Sequence, residues 1–346
     1  MLFERPLYGR TGVIIAGRYL LFALAWLAII SILHYHFEHQ YEKRQVLNLG
    51  YMPVITNLAA PLLDAASSKT GPYRFRAIKF SSFAEMADAL CSGHLDGAFI
   101  IAPLAIVLKQ HGEDVRIVYI GNRHESTLVT RKELGIKSFK DLAGRSLGVP
   151  MRYSGHYLEI QRLQEDKKLH PPIKVVEMNP PDMASALASG GLDAYFVGEP
   201  FAAQTITSGN ADLFCRVEKL HPHFICNLLL VREQLITDDI TAVQHLVSAA
   251  VRSGFWAQTH PADAARIASH YWNQPEKLIY YALTTPKNRI EYNHFIPQSD
   301  EIEDIAKSMV RFKLADNAKI DGIVDDRFAR QTNLDDITDL KSIIDY

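Results

Sequence analysis

The sequence predicts an α/β protein of two lobes with a helical C-terminal part, preceded by one transmembrane helix. Three observations carry that prediction. The stretch EMADALCSGHLDGAFIIAPLA, Glu85 to Ala105, returns as DMASALASGGLDAYFVGEPFA, Asp182 to Ala202, with Met, Ala, Ala-Leu, Ser-Gly, Leu-Asp, Phe, Pro and Ala at matching places. Short strand-like runs alternate with helix-like runs around each copy, which is the signature of βα units on a parallel or mixed sheet. Near the start, VIIAGRYLLFALAWLAIISIL is interrupted by Arg18 alone.

The N-terminal segment comes first. Its unbroken apolar part, Tyr19–Leu33, is short for a span, but counting from Val13 makes it long enough, because the Arg18 stem can snorkel to the interface. The following HYHFEHQYEKR is bulky and polar and holds no small-x-small cleavage site. A retained anchor over residues 13–33 is therefore favoured over a cleaved signal peptide. Arg5 and Arg10 place residues 1–12 in the cytoplasm and the chain from about His34 outside. No cysteine near the segment's end supports a lipid-modified N-terminus.

After the anchor, VLNLGYM reads as a strand, NLAAPLLDAASSKTG as a helix stopped by Gly71, YRFRAIKF as a strand and FAEMADALCSG as a helix capped at Gly93. LDGAFII is a buried strand, Pro103 opens a helix, and VRIVYIG and STLVTR are two strands. The cycle then restarts with FKDLAG (short helix), SLGVP (strand), SGHYLEIQRLQEDKK (helix), IKVVEM (strand), PPDMASALASG (helix), LDAYFVG (strand) and a helix opened by Pro200. After HFICNLLLVR the chain turns almost wholly helical from Asp238 to about Lys313.

The repeated words are structural. Their Met, Ala and Leu positions form one apolar helix face, and each glycine permits the left-handed turn that ends the helix. Asp96 and Asp193 start strands, where a carboxylate accepts local backbone N–H groups, and each proline sits in a helix's first turn. A catalytic carboxylate pair is the weaker reading, since the two belong to equivalent positions of separate lobes.

Composition narrows the function classes. The 346 residues suffice for two lobes of ordinary size. The formal net charge of −2 with no basic stripe argues against nucleic-acid binding. Only the last twenty or so residues have a composition compatible with disorder. Of the three cysteines, Cys215 and Cys226 could bridge a strand–turn–strand, or all three could be separate buried thiols. The histidine groups His34, His36, His39 and His221, His223 lack the further ligands a zinc site needs, so no metal and no cofactor are expected.

Several segments together resemble the solute-binding proteins of ABC importers, in the branch handling nitrate, bicarbonate, sulfonates, taurine and thiamine-type pyrimidines. GYMPVITNLA is similar to the first strand-to-helix loop of that family, IKSFKDLAGRSLGVP to the start of its second lobe, and both copies of the repeat to its lobe units; the VGEP ending is most like nitrate and bicarbonate members. The resemblance runs from Val46 to about Val231. It implies a type II periplasmic-binding fold, with lobe 1 from residues 45–122 and 232–320, lobe 2 from 123–231, and a tail over 321–346. It also implies a small-molecule ligand between the lobes, permease and ATPase subunits as partners, a monomer, no catalysis, and an extracytoplasmic position at the plasma membrane.

Ligands in α/β lobes sit at the carboxyl ends of strands, beside helix N-termini whose free N–H groups favour anions. Three loops fit: Tyr51–Asn57, with Tyr51, Thr56 and Asn57; Met151–His156, with Ser154, Gly155 and His156; and Gly198–Pro200, with Glu199. GNRHES adds Arg123, His124 and Ser126 near the hinge. Each has a plainer reading: Thr56, Asn57 and Ser154 as helix caps, Glu199 as an acid in a helix's first turn, His156 as a satisfied histidine and Arg123 as a solvated one. Two other functions compete. A pyrimidine-synthase-like enzyme shares the fold, but its dense cysteine cluster is missing, as are G-x-S-x-G, H-E-x-x-H and a glycine-rich phosphate loop. A ligand sensor would need a membrane partner for its output.

Overall fold

The computed structural model describes residues 9–42 and 44–345, with side chains over 17–35 and 44–345. Residues 1–8 of the expected cytoplasmic segment, and the side chains of Arg10, His36 and His39, lie outside that description. By contact, the chain forms one unit over Met1–Gln45 and a second over Val46–Tyr346.

In the first unit, helix α1 runs Gly9–Glu42, roughly 50 Å at ~1.5 Å per residue. Over Gly17–Tyr35 it has a mean hydropathy of 1.6 and none of that stretch is buried in protein. It is long and apolar enough to cross a membrane.

The second unit contains both sheets. Strand β1 (Gln45–Tyr51) leads through helix α2 (Ala59–Ser67), β2 (Tyr73–Lys79), α3 (Phe83–Cys91), β3 (Gly97–Ile101) and α4 (Ala102–Gln110) to β4 (Val115–Ile120). The chain crosses over and builds β5 (Ser126–Arg131), β6 (Ser146–Val149), α5 (Gly155–Asp166), β7 (Lys174–Glu177), α6 (Pro180–Ala188), β8 (Ala194–Gly198), α7 (Phe201–Thr207) and β9 (Ala211–Arg216). It then returns through β10 (Asn227–Arg232). The sheets have orders β2-β1-β3-β10-β4 and β7-β6-β8-β5-β9, so they are the same topology built twice. In each, the repeated unit supplies the central strand, fully buried along its length, parallel to one neighbour and antiparallel to the other.

The repeated residues act in matching ways. Met86 and Leu90 of α3 and Met183 and Leu187 of α6 are completely buried. Gly93 and Gly190 end those helices at φ 79° and 82°, the left-handed region. Asp96 Oδ2 accepts from the Asn48 N–H at 2.7 Å, and Asp193 Oδ2 from the Ser146 N–H at 3.0 Å. Each ties the start of its strand to the neighbouring one.

The C-terminal part continues as α8 (Glu233–Asp238), α9 (Ile240–Thr259), α10 (Pro261–Trp272), α11 (Glu276–Thr284), α12 (Ser299–Arg311) and the single turn α13 (Arg327–Arg330). The helical run expected here is broken between Thr284 and Ser299 by an irregular segment. Nor is the tail loose: Phe328, Ile343 and Ile344 are buried. The buried Arg252 of α9 donates to the carbonyls of Asn333 (2.7 Å), Asp335 (2.9 Å) and Ser342 (2.7 Å). FKDL is one 3₁₀ turn with a capping box between Ser138 and Asp141 rather than an α-helix.

The two lobes share one apolar core along their seam. Met52, Val54 and Ala102 of lobe 1 lie in the same buried cluster as Leu158, Tyr195, Val197 and Phe201 of lobe 2. The Ile55 N–H donates across the seam to the Glu199 carbonyl at 2.8 Å.

Candidate functional site

Where the two crossings between the lobes run together, a polar cluster is sealed in. Glu125 and Ser126 come from the β4–β5 crossing, Cys226 from the β9–β10 crossing, Thr56 from the loop after β1, His156 from the first turn of α5, and Glu199 from the end of β8. All are at most 5% exposed. The Ser126 hydroxyl donates to Glu125 Oε1 at 2.8 Å and meets His156 Nε2 at 2.9 Å. Glu125 Oε2 accepts from the Glu199 N–H at 2.9 Å. The Cys226 thiol faces Glu125, Ser126 and Thr56.

Local sequence explains the tight fit. A Cβ on Gly198 would lie 2.6 Å from Glu125 Oε2, so glycine at the end of β8 is what admits the carboxylate. A Cβ on Gly155 would lie 2.9 Å from the Phe224 ring, so glycine lets α5 approach the hinge. The His156 ring is held edge-on against Phe196 and Phe224, with centroids 4.8 and 5.3 Å away.

Glu199 has a second set of partners. Its Oε1 accepts from the Thr127 hydroxyl at 2.7 Å and pairs with Arg289 at 3.4 Å, while Oε2 accepts from the Ala203 N–H at 2.8 Å. It thus acts as a counter-ion and, from a position before the Pro200 cap rather than within the first turn of α7, as an acceptor for that helix's N-terminus. Arg289, from the segment before α12, also binds the Ser126 carbonyl at 2.7 Å, the Thr127 hydroxyl at 2.9 Å and Glu218 at 3.2 Å.

Burial sets the protonation of the cluster. It pushes Glu125 up to about 7, although hydrogen bonds from Cys226 and Ser126 and the Arg289 charge pull the other way. It pushes His156 down to about 3, keeping the imidazole neutral, and holds the Cys226 thiol well above its ordinary value. Two buried polar atoms of the cluster have no hydrogen-bond partner, Thr56 Oγ1 and His156 Nδ1. Leaving such an atom dry and unpaired costs about 1–3 kcal/mol. Two cavities open along the seam. One of about 290 Å³ lies between α5 and α12, against Gly155, Leu158, Phe224 and Phe312. Another of about 470 Å³ lies between Pro53, Phe80 and Trp272 on one side and Pro181 and Phe201 on the other.

Of the ten residues singled out in the sequence, Thr56, Ser126, His156 and Glu199 come together in this cluster. Asn57, Ser154 and Gly155 shape it. Neither Thr56 nor Asn57 caps a helix: the Asn57 amide donates to the Met52 and Phe99 carbonyls and accepts from Asn227 at 2.6 Å, fixing the loop to two strands. Ser154 is a cap, accepting from the Tyr157 N–H at 3.1 Å. Tyr51 and His124 stand elsewhere. The Tyr51 ring turns into the lobe 1 core, its hydroxyl toward the Tyr271 carbonyl, because alternation along β1 puts it on the face of Leu47 and Leu49. His124 meets the Pro222 carbonyl and Glu291 outside the cluster. Arg123 is neither solvated nor available to an anion: it is buried and paired with Glu301 at 2.9 Å. Glu125, Thr127, Cys226 and Arg289 were not singled out. Glu125 left a trace as the acid inside GNRHES, and Cys226 only as a possible disulfide partner of Cys215. All three cysteines are free thiols, and no metal-holding group occurs among the described residues.

Comparison with known proteins places this geometry. A family model described as the NMT1-like family matches residues 40–271. The nitrate import ATP-binding protein of Synechocystis is 27% identical over 183 residues, covering 46% of this chain. A Brucella abortus protein named as a binding protein is 26% identical over 191 residues, covering 53% of this chain. The chain spans 27% and 57% of those relatives' lengths. Among solved structures, the zinc-bound ligand-binding component of an ABC-type import system from Staphylococcus aureus superposes with a TM-score of 0.76 at 22% identity, covering 84% of this chain and all of the other. The periplasmic nitrate-binding protein of Synechocystis gives 0.74 at 15%, covering 84% and 88%. A desulfurization enzyme gives 0.57 at 16%, covering 83% and 98%. At these identities the likeness is one of fold.

Proposed function

Because the chain belongs to the NMT1-like family and has the type II periplasmic-binding fold, we propose that it is the solute-binding component of an ABC importer. In this reading it captures a small solute between its two lobes, hands it to a permease and ATPase, and is held at the outer face of the plasma membrane by residues 13–33. It works as a monomer.

The observation that carries the proposal is the seam between the lobes, along which cavities of about 290 and 470 Å³ are lined from both sides. A solute held there would touch both lobes at once and hold them together. The cluster is suited to binding rather than catalysis. A thiol acts as a nucleophile only as the thiolate, and burial keeps Cys226 protonated. Burial also makes His156 a weak base at neutral pH, poorly suited to activating such a nucleophile. Glu199 is paired with Arg289, so its charge is balanced and does not by itself repel an anionic solute.

Thermal unfolding of the full chain in detergent, with nitrate, bicarbonate, taurine, an alkanesulfonate and an aminopyrimidine in turn, tests the reading. A true ligand at a hundred times its Kd adds about 2.7 kcal/mol, enough to raise Tm by several degrees. Thr56→Val and His156→Phe should each reduce that rise. No stabilisation by any of these classes would overturn the proposal, and turnover of a bound one would favour the enzyme reading.

A further inference from the structure

Glu125 has a place no ligand role explains. It sits on the crossing between the sheets, 1% exposed, with its carboxylate filling the space that Gly198 leaves by having no side chain. Groups face it from every neighbouring element. Glu199 lies at the end of β8 and Cys226 on the second crossing. Arg289 reaches in from the segment before α12, with Glu218 behind it. His156 of α5 lies beyond Ser126. The cover on the lobe 1 side is the loop after β1: Thr56 faces the Cys226 thiol, and Ile55 N–H is bonded to the carbonyl of Glu199, whose own N–H is bonded to Glu125. Parting the lobes at that loop removes the cover and lets water reach the carboxyl.

We propose that Glu125 is a proton-binding site coupled to lobe closure, so that the closed form takes up one proton and solute capture strengthens in mild acid. The inference rests on the solute-binding reading, because it requires lobes that open. The sign follows from linkage. In the closed form burial raises Glu125 to about 7 from an ordinary 4.5; hydrated in the open form, it returns to that ordinary value. A group raised on closure favours the closed form fully below its open-form value, and that advantage is lost as pH rises through its closed-form value. Between pH 5.5 and 8.5 the closed-to-open ratio should therefore fall on the order of 30-fold, levelling off above about pH 7.5. His156, held neutral down to about 3, does not titrate in this window.

Hydrogen exchange of the full chain in detergent, without solute, reads closure directly at the Ile55 amide, which donates across the seam. After correction for the intrinsic pH dependence of exchange, protection at residues 52–58 should fall about 30-fold from pH 5.5 to 8.5. Glu125→Gln should hold it near its acid value throughout, and Glu199→Gln should leave the pH dependence in place. A flat wild-type profile overturns the proposal, even if Glu125→Gln fails to fold. So does a wild-type slope that persists in Glu125→Gln or vanishes in Glu199→Gln. Because no solute is present, these outcomes are separate from the ligand screen: a screen without hits refutes the solute-binding role and leaves the exchange profile to stand or fall by itself.

Discussion

The two copies of the repeated unit differ most where their sequences part, just before the proline. In lobe 1, β3 ends at Ile101 and Ala102 follows as the first residue of α4, both buried in the apolar core. In lobe 2, β8 ends at Gly198, and the next residue, Glu199, is at once polar, tied to Thr127, Arg289 and Glu125. Everything upstream is alike: the same helix face, the same left-handed glycine, the same aspartate on a neighbouring strand. One copy serves as scaffold and the other, on the same scaffold, carries part of a cluster. Duplicated architecture thus leaves a small number of positions free to specialise, and they fall at a strand's carboxyl end.

The comparison can be broken by substitutions at paired positions. The largest effect should come from the shared core: Met86→Ala and Met183→Ala, both completely buried, should each cost about 2–5 kcal/mol in denaturant unfolding, and a large inequality would show that the helices are not equivalent. Next, Gly198→Ala should cost about 1–3 kcal/mol, because its Cβ would collide with Glu125. The matched change in lobe 1, Ile101→Val, should cost only about 0.5–1.5 kcal/mol. Gly190→Ala should destabilise more than Gly93→Ala: both need positive φ, but only at Gly190 would the Cβ also come within 3 Å, at 2.7 Å from Arg131. The smallest effect is at acid pH. Burial opposes ionisation of Asp193, but the Ser146 N–H and hydroxyl and the Arg131 charge hold it below its ordinary value. A depressed carboxylate contributes stability above its unfolded pKa and loses it as pH falls through the folded one. Unfolding midpoints measured below about pH 4 should therefore fall less steeply in Asp193→Asn than in the wild type.

The elements were legible because their causes are local. Alternating strands, glycine helix ends and the proline in the first turn of α4 are read from a few adjacent residues, although Pro200 stands at the cap of α7 rather than within its first turn, and the repeat pointed to one α/β unit used twice. Where the reading slipped, a distant partner decided. Asn57 was open to a capping role, but Asn227, 170 residues away, draws its amide to the sheet. Tyr51 belongs to the right loop and the wrong face. Arg289 reaches Ser126 across 163 residues from a stretch, TTPKNRIEYN, that carries no motif. The tail is fastened by Arg252 carbonyl contacts, which no composition rule foresees. Half of the cluster could be named from strand-end loops; Glu125, Cys226 and Arg289 become visible only when both crossings and the segment before α12 are seen together.

The central claim is that shared residues build the lobes while the residues before the second proline serve the solute. Calorimetric titration of whichever solute stabilises the full chain, into the wild type, Asp96→Asn and Glu199→Gln, tests it most directly. Asp96→Asn should bind with unchanged Kd, and Glu199→Gln, which loses the charge holding Arg289 and Thr127 in place, should bind roughly tenfold more weakly. Equal affinity in Glu199→Gln, together with a large loss of stability, would contradict the account and return Glu199 to the scaffold.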